Sequence, residues 1–340
     1  MADSIKRLIK KLKTLPRKER WDMKDRAAAE AAHSGMGTEM IHKAFGRYPA
    51  NALRAVKNET ERLECMLSRF QPGSDISRIN RSAGIKREKI SPETCDILSR
   101  ALKCSAASQG FFDVTVGPLV DLWDYKHASE PPENSRIKAV LPLVDYTGLE
   151  LDAAAKTAGL KNPGQHIDLG GIGKGFAGDR FMEIFKKYGV ASAFSNIGGN
   201  VSTLGSKPDG SPWRVGIRHP RLNGLIGMVE VTGKAVVTSG DYERYFFNKE
   251  GRRFHHILNP ATGYPAESGL VSVTVVADSA MIADALSTAM FVAGLERGLA
   301  LREKYPCTEA VLVNTKMQVY VTRGLRNCFR TAGGIHTIYM

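Results

Sequence analysis

A largely antiparallel β-sheet accompanied by helices is the architecture predicted for this 340-residue sequence, and three observations carry it. The second half is dense in short apolar and β-branched runs, at 191–195, 201–204, 213–217, 227–231, 235–238, 245–248 and 255–258. Glycines, prolines and an Asn-Gly pair separate them and supply tight turns. The first half instead repeats apolar residues at helical spacing, and a glycine-rich stretch at 166–179 joins the two patterns.

Taken in order, residues 1–34 form a basic N-terminal extension in which Ile5, Leu8, Ile9 and Leu12 mark one face of an amphipathic helix. The apolar part is too short and too interrupted by lysine for a signal-peptide core, and no lipobox-type cysteine follows. A cytosolic location is the expectation, with contact of residues 1–30 to a membrane surface as the alternative. Gly35-Met36-Gly37-Thr38 reads as a loop opening one folded unit over 35–340. Leu53, Val56, Leu63, Met66, Leu67 and Phe70 form the apolar stripe of a helix ending before Pro72-Gly73. A short polar segment, 75–80, precedes a second helix opened by Ser91-Pro92-Glu93, a capping residue and a proline at the first helical position, and closed by Gly110. Residues 111–123 read as a hairpin or a helix start, 126–140 as an exposed loop with a short helix, and 144–168 as strand, turn, strand. Strands at 270–276, 310–313 and 317–322 extend the sheet around a helical 280–301.

Composition narrows the function classes. A net charge of +13 permits polyanionic ligands, yet no zinc-finger spacing, RNP-like aromatic stretch or basic zipper accompanies it, which argues against specific nucleic-acid binding. No apolar run approaches the ~20 residues that span a bilayer. The five cysteines are odd in number and lack C-x-x-C spacing, so reduced thiols are expected.

The chemistry concentrates in four places. Residues 166–179 combine Asp168, five glycines, Lys174 and Asp179 ahead of a helix whose apolar positions are Phe181, Ile184, Phe185 and Tyr188, an arrangement suited to an anion. Gly173, Gly175 and Gly178 spell G-x-G-x-x-G, but the run at 191–195 ends in Asn196, where a dinucleotide fold needs an acid. A P-loop fails as well, because Gly175 follows Lys174 where Ser or Thr would hold magnesium. In the helical run 278–294, Asp284 is an acid among small and apolar residues and needs a partner; Thr288 lies one turn on, with Asp278 as the expected N-cap. Together with a loop carbonyl and phosphate oxygens, these two side chains can complete an oxygen cage for Mg²⁺. The stretch His255-His-Ile-Leu-Asn-Pro-Ala-Thr-Gly offers a histidine base at a turn, and Thr238-Ser-Gly-Asp-Tyr-Glu-Arg offers hydroxyls, an acid and Arg244.

These segments, with Asp113-x-Thr-Val-Gly-Pro-Leu before them and Asn196-Ile-Gly-Gly-Asn between, closely resemble the FAD:protein FMN transferase (ApbE) family from about Met36 to the C-terminus. The resemblance implies an α+β, T-fold-related architecture of mostly antiparallel sheets with flanking helices. It also implies Mg²⁺-dependent cleavage of FAD, with FMN passed to a Thr or Ser hydroxyl of an acceptor flavoprotein and AMP released. Carried over residue by residue, Asp284, Thr288 and the Gly171 carbonyl would hold the metal. Met36, Arg78, Phe111, Phe112, Asp113, Asp168, Lys174 and Leu258 would contact FAD, and His256 would accept the proton. The sequence departs from the family at Asn259-Pro260, where relatives usually carry Asp-Pro; an acid that orients the histidine or supports the metal would be missed, whereas a turn cap would not. Hydrolysis of FAD by water, or weak flavin binding without turnover, are the competing activities.

Overall fold

The computed structural model describes residues 27–340. The amphipathic helix read from the N-terminal extension therefore lies outside the described residues up to position 26. Residues 27–34, grouped with that extension by sequence, belong instead to the first strand.

Along the chain run β1 (Ala27–Gly35), β2 (Thr38–Gly46), α1 (Pro49–Leu67), α2 (Asp75–Arg81), β3 (Glu88–Lys89), α3 (Pro92–Ala107), α4 (Gly117–Trp123) and α5 (Asn134–Val140). The hairpin β4 (Leu149–Asp152) and β5 (Thr157–Leu160) leads to α6 (Gly173–Lys187), and then come β6 (Val190–Ile197), β7 (Asn200–Leu204), β8 (Trp213–Arg218) and β9 (Leu225–Val231). Next are β10 (Ala235–Gly240), β11 (Tyr245–Phe247), β12 (Arg253–His255), β13 (Leu270–Ala277), α7 (Ala280–Ala293) and α8 (Leu295–Glu303). The chain closes with β14 (Glu309–Asn314), β15 (Val319–Val321), β16 (Phe329–Thr331) and β17 (Thr337–Tyr339).

Nine strands form the main sheet in the order β1-β2-β6-β7-β10-β13-β14-β15-β17, every pairing antiparallel except β15 with β17. Its interior strand β13, between β10 and β14, is buried at every position, so both faces are covered. Val273, Val275 and Ala277 share a core with Val56 of α1, Phe181 of α6 and Leu286 of α7, while Val276 packs with Trp213, Val229 and Phe329 of the smaller sheet β16-β9-β8. The register shift between Leu270 and Ser272 places Val271 in the second core too. A third, aromatic cluster around Trp123 joins α4, α5 and the β11–β12 hairpin. Among the described residues no helix is long and apolar enough to cross a membrane.

Local readings that changed have local reasons. The polar segment 75–80 is helix α2, because the Ser74 hydroxyl caps it by accepting from the Ser77 amide and Ile76 and Ile79 are fully buried. Phe70 is 76% exposed, since α1 stops at Leu67 and its apolar stripe ends there. Residues 117–123 resolve as helix rather than hairpin, with proline in the first turn. The helical 280–301 breaks at Gly294, and its N-cap is Ser279, one residue beyond Asp278, with the Ser279 hydroxyl accepting from the Ile282 amide.

Candidate functional site

Helices α6 and α7 meet at the centre of the site, and glycines set how closely. Helix α6 begins at Gly173, six residues before the start read from sequence, so Gly173, Gly175 and Gly178 form its first turns instead of a loop. A Cβ on Gly175 would lie 2.3 Å from the Ala280 carbonyl oxygen and 2.6 Å from Met281 Cα, and one on Gly178 would lie 2.5 Å from Ser202 Oγ. These two glycines allow helix-to-helix and helix-to-sheet contact and are not free to admit a ligand. Asp179 locks the pair: its carboxylate accepts from the Ala280 amide at 2.6 Å and the Ser279 hydroxyl at 2.5 Å, placing negative charge at the N-terminus of α7. Burial pushes the Asp179 carboxyl upward from its ordinary range.

The loop before α6 is held from behind. Asn80 exchanges two hydrogen bonds with the Ile167 backbone, at 2.8 and 3.0 Å, and the Asp168 amide donates to the Val114 carbonyl at 2.9 Å. Asp168 Oδ1 accepts from the Gly170 amide at 2.7 Å, and Oδ2 forms an ion pair with Arg69 at 2.9 Å. Arg69 also grips Asp121 at 2.7 Å; against the opposing effect of burial, His166 and Arg69 hold the Asp121 carboxyl down to about 2. Arg69 follows the end of α1, and no local pattern marks it in the sequence.

Asp284 is 3% exposed and accepts from the Gly175 amide at 2.9 Å, and no cation pairs with it among the described residues. One turn on, Thr288 Oγ1 lies 3.1 Å from Ser239 Oγ, which is 2.8 Å from Ser287 Oγ. Ser287 and Thr288 turn their hydroxyl protons to the Asp284 carbonyl at 2.9 and 3.3 Å, which leaves oxygen lone pairs directed elsewhere. A Cβ at Gly171 would sit 3.5 Å from Thr288 Oγ1, so the loop meets α7 here. Among the described residues no group of three His, Cys, Asp or Glu side chains is placed to hold a metal. The donors are one carboxylate, hydroxyls and backbone oxygen: a sparse, hard set that fits Mg²⁺ only with phosphate oxygens or water making up the shell. The Thr238-Ser-Gly motif was the available signal for Ser239.

His256 follows β12 directly. Its amide and Nδ1 lie 3.0 and 3.1 Å from the Arg244 carbonyl, which can only accept, so Nδ1 carries the proton and Nε2 keeps a free lone pair. Burial, then the charges of Arg244, His255 and Lys174, push its pKa down to about 3. The imidazole is neutral at physiological pH, within the field of two cations. Lys174 thus links the two halves, since its charge reaches His256 while the adjacent Gly175 amide touches Asp284.

The other expected contacts divide. Met36, at φ 52° in the β1–β2 turn, brings its Cε within 3.7 Å of the Cβ position at Gly173, and Phe112 approaches Gly171 to 3.1 Å on the same basis. Phe111 is half-buried beside the Arg297 guanidinium, 5.9 Å away. Asp113 is engaged within the protein, accepting from the Thr115 amide and hydroxyl and from the Tyr146 amide at 2.7, 2.6 and 3.0 Å; burial raises its pKa. Leu258 buries its side chain in the Trp123 cluster, so only its backbone is available to a ligand. Arg78 is tied to Asp75 at 2.7 Å and the Lys89 carbonyl at 2.6 Å, and no contact joins it to Lys174 or His256. Asn259 Oδ1 accepts from the Ala261 amide at 2.9 Å, the turn-capping role that either Asn or Asp can fill.

Comparison with known proteins fits this geometry. The chain is 33% identical over 290 residues to the FAD:protein FMN transferase of Klebsiella pneumoniae, covering 84% of this chain and 89% of that one. It is 32% identical to the Treponema pallidum enzyme of the same name over 311 residues, 85% of each chain. The ApbE protein of Thermotoga maritima superposes with a TM-score of 0.83 at 31% identity, over 89% of this chain and 100% of that one, and the flavin transferase ApbE of Vibrio cholerae with 0.80 at 26%, over 89% and 99%. The ApbE family model matches residues 36–312, and the chain belongs to the ApbE family, whose curated relatives here are flavin-transferring enzymes.

Proposed function

We propose that this flavin transferase cleaves the pyrophosphate of FAD and passes FMN to a Thr or Ser hydroxyl of an acceptor flavoprotein, releasing AMP. The observation that carries the reading is the junction of a buried, cation-less Asp284 with a neutral His256 through the first turn of α6, which supplies both the Gly175 amide and Lys174.

Asp284, Thr288 and the Gly171 carbonyl would hold Mg²⁺, which supplies charge neutralisation of the pyrophosphate and orientation for in-line attack. Lys174 binds the same anion as a mobile charge. His256 Nε2 takes the proton of the acceptor hydroxyl as its oxygen bonds to the FMN phosphorus, and the bond to the AMP oxygen breaks. Burial keeps this base weak in the free enzyme, and the anionic substrate offsets the part of the depression that comes from Lys174 and Arg244, moving the pKa upward in the complex. Asp168, fixed by Arg69, and the backbone around Met36, Phe111 and Phe112 border the flavin-nucleotide side. The turn-capping contact of Asn259 supports full activity despite its departure from the usual acid.

Incubation with FAD, Mg²⁺ and an acceptor domain carrying a Ser/Thr-Gly-Ala-Thr type segment tests this reading. A fluorescent acceptor band that survives a denaturing gel, with AMP in equal amount, is expected. AMP without the band indicates hydrolysis, and bound FAD with neither product indicates a binding protein; either result overturns the proposal.

A further inference from the structure

The hairpin that delivers His256 also carries an unpartnered aromatic face. Among the described residues β11 and β12 pair only with each other, Tyr245 opposite His255, Phe246 opposite Phe254 and Phe247 opposite Arg253. Phe246 turns inward, 6.4 Å from Trp123 and 5.5 Å from Phe254, so strand alternation turns Tyr245 and Phe247 outward. They are 44% and 57% exposed, with their rings edge-to-face at 5.6 Å.

Arginine and aspartate contacts brace this face from below. The Arg253 guanidinium lies 4.0 Å from the Tyr245 ring centre and donates to the Asp241 carbonyl at 2.5 Å. Arg221 clamps the Asp241 carboxylate at 2.7 and 2.6 Å, and the next residue, Leu222, is 67% exposed. A single exposed ring needs no explanation. Two adjacent rings, one of them stacked against an arginine anchored on Asp241, in the hairpin that leads to His256, have the form of an interface anchor. Of the hairpin's cations, Arg253 is held by Asp241, Arg252 pairs with Glu267 at 2.8 Å and Lys249 lies 4.0 Å from Glu130, which leaves Arg244 without a carboxylate partner among the described residues.

We propose that this face docks the acceptor flavoprotein, through a segment of that partner bearing apolar and acidic side chains close to the hydroxyl to be modified. The inference rests on the transferase reading. A hydroxyl that gives its proton to His256 must come within hydrogen-bond reach of Nε2. Tyr245 is opposite the residue before His256, and Phe247 lies only two residues, about 7 Å, further along the strand. A folded partner whose hydroxyl reaches His256 brings its surrounding surface within reach of these rings, and Arg244, beside His256, favours an acidic side chain on it.

The test compares Tyr245→Ser/Phe247→Ser, Phe247→Ser alone and, as a distant exposed control, Ile85→Ser, by steady-state flavinylation of an acceptor domain and by FAD binding. The double variant should raise KM for the acceptor roughly tenfold or more, and the single variant less, with kcat and the Kd for FAD within about twofold of wild type. Ile85→Ser should match wild type. Unchanged acceptor KM in both variants, or a fall in kcat alone, overturns the proposal. So does a wild-type dimer that the double variant splits without any change in acceptor KM, since the face would then join two copies. Wild-type AMP release with no labelled acceptor is a different failure: it removes the transferase reading and this inference with it.

Discussion

Gly175→Ala is the sharpest perturbation of the site, because it adds one methyl group where two backbones meet. The new Cβ would stand 2.3 Å from the Ala280 carbonyl oxygen and 2.6 Å from Met281 Cα, and neither atom can rotate aside. Ordinary contact distances are about 1 Å longer, so α6 and α7 must separate by roughly that amount. Overpacking of this kind costs about 1–3 kcal/mol, and the gain from removing a helical glycine offsets about 0.5–1 of it. The net is a loss of about 1–2 kcal/mol, or a Tm lower by roughly 2–6 °C. The same displacement draws the Gly175 amide off Asp284, now 2.9 Å away, and misplaces Lys174 relative to the carboxylate. A shift of about 1 Å at reacting groups can lower turnover on the order of a hundredfold. Thermal unfolding and the initial rate of AMP formation at saturating Mg²⁺ measure both effects. Gly173→Ala is the matched control, since its Cβ would meet Leu169 Cβ and Met36 Cε at 3.7 Å, ordinary contact. A Gly175→Ala protein with wild-type Tm and a rate within threefold of wild type would refute the helix-contact account.

Asp284→Ala should abolish Mg²⁺-dependent turnover, by on the order of a thousandfold, and calorimetric titration should show Mg²⁺ affinity falling with it; undiminished activity sinks the metal assignment. Asn259→Asp should leave kcat within about twofold, because the carboxylate can accept from the Ala261 amide as the side-chain carbonyl does; a large gain in rate would assign that position a role beyond the turn. Because burial and the neighbouring charges hold the His256 pKa down to about 3 in the free enzyme, the profile of kcat/KM for FAD should show no His256 ionisation between pH 5 and 8, and an acid limb near pH 6.5 that vanishes in His256→Asn would contradict the burial of the imidazole and the field around it. His42 is fully buried against Ser195, and burial holds its pKa near 4, below the ordinary 6.5, so the unfolded chain binds a proton that the folded chain refuses. Stability should be level above pH 6.5 and decline toward pH 4, with about 3 kcal/mol from this group; urea midpoints at pH 7.5 and 4.5 should differ less in His42→Gln, and an identical difference disproves the assignment.

Several parts of the site were legible because their chemistry conflicts with its surroundings. Asp284 stands out as an acid in an apolar helix whatever the fold, and Lys174 as a cation among glycines. The strands of the second half announce themselves through alternation and turn residues. What stayed hidden depends on contacts between distant segments. Sequence gives the glycines of 170–178 an anion-binding look, yet the structure uses Gly175 and Gly178 for packing, a requirement set by Ala280 and Ser202 far along the chain. Asp179 reads as one more loop acid, while its amide partners lie a hundred residues away. Helix α2 was missed because its polar residues look outward in sequence and only burial of Ile76 and Ile79 explains the helix. Arg69 gave no sign at all, since what defines it is the pair of carboxylates it reaches.

The same contacts explain why the two halves of the site can be so far apart in sequence without being loosely placed. Helix α7 is fixed to α6 by a carboxylate cap from Asp179 at its N-terminus and by backbone contact at Gly175, one residue from Lys174 and in hydrogen-bond contact with Asp284. Any tilt of α7 that moved Asp284 would have to break the Asp179 cap or open the Gly175 contact. The spacing between Lys174 and the buried carboxylate is therefore a property of helix packing, not of loop conformation. His256 is constrained separately, by the Arg244 carbonyl at the base of an aromatic-cored hairpin. Substitutions in the α6–α7 contact should consequently alter Mg²⁺ affinity before they alter the ionisation of His256. Substitutions in the Trp123 cluster should do the reverse, because Trp123 supports the hairpin and donates to the Gly263 carbonyl at 2.8 Å in the turn that follows it.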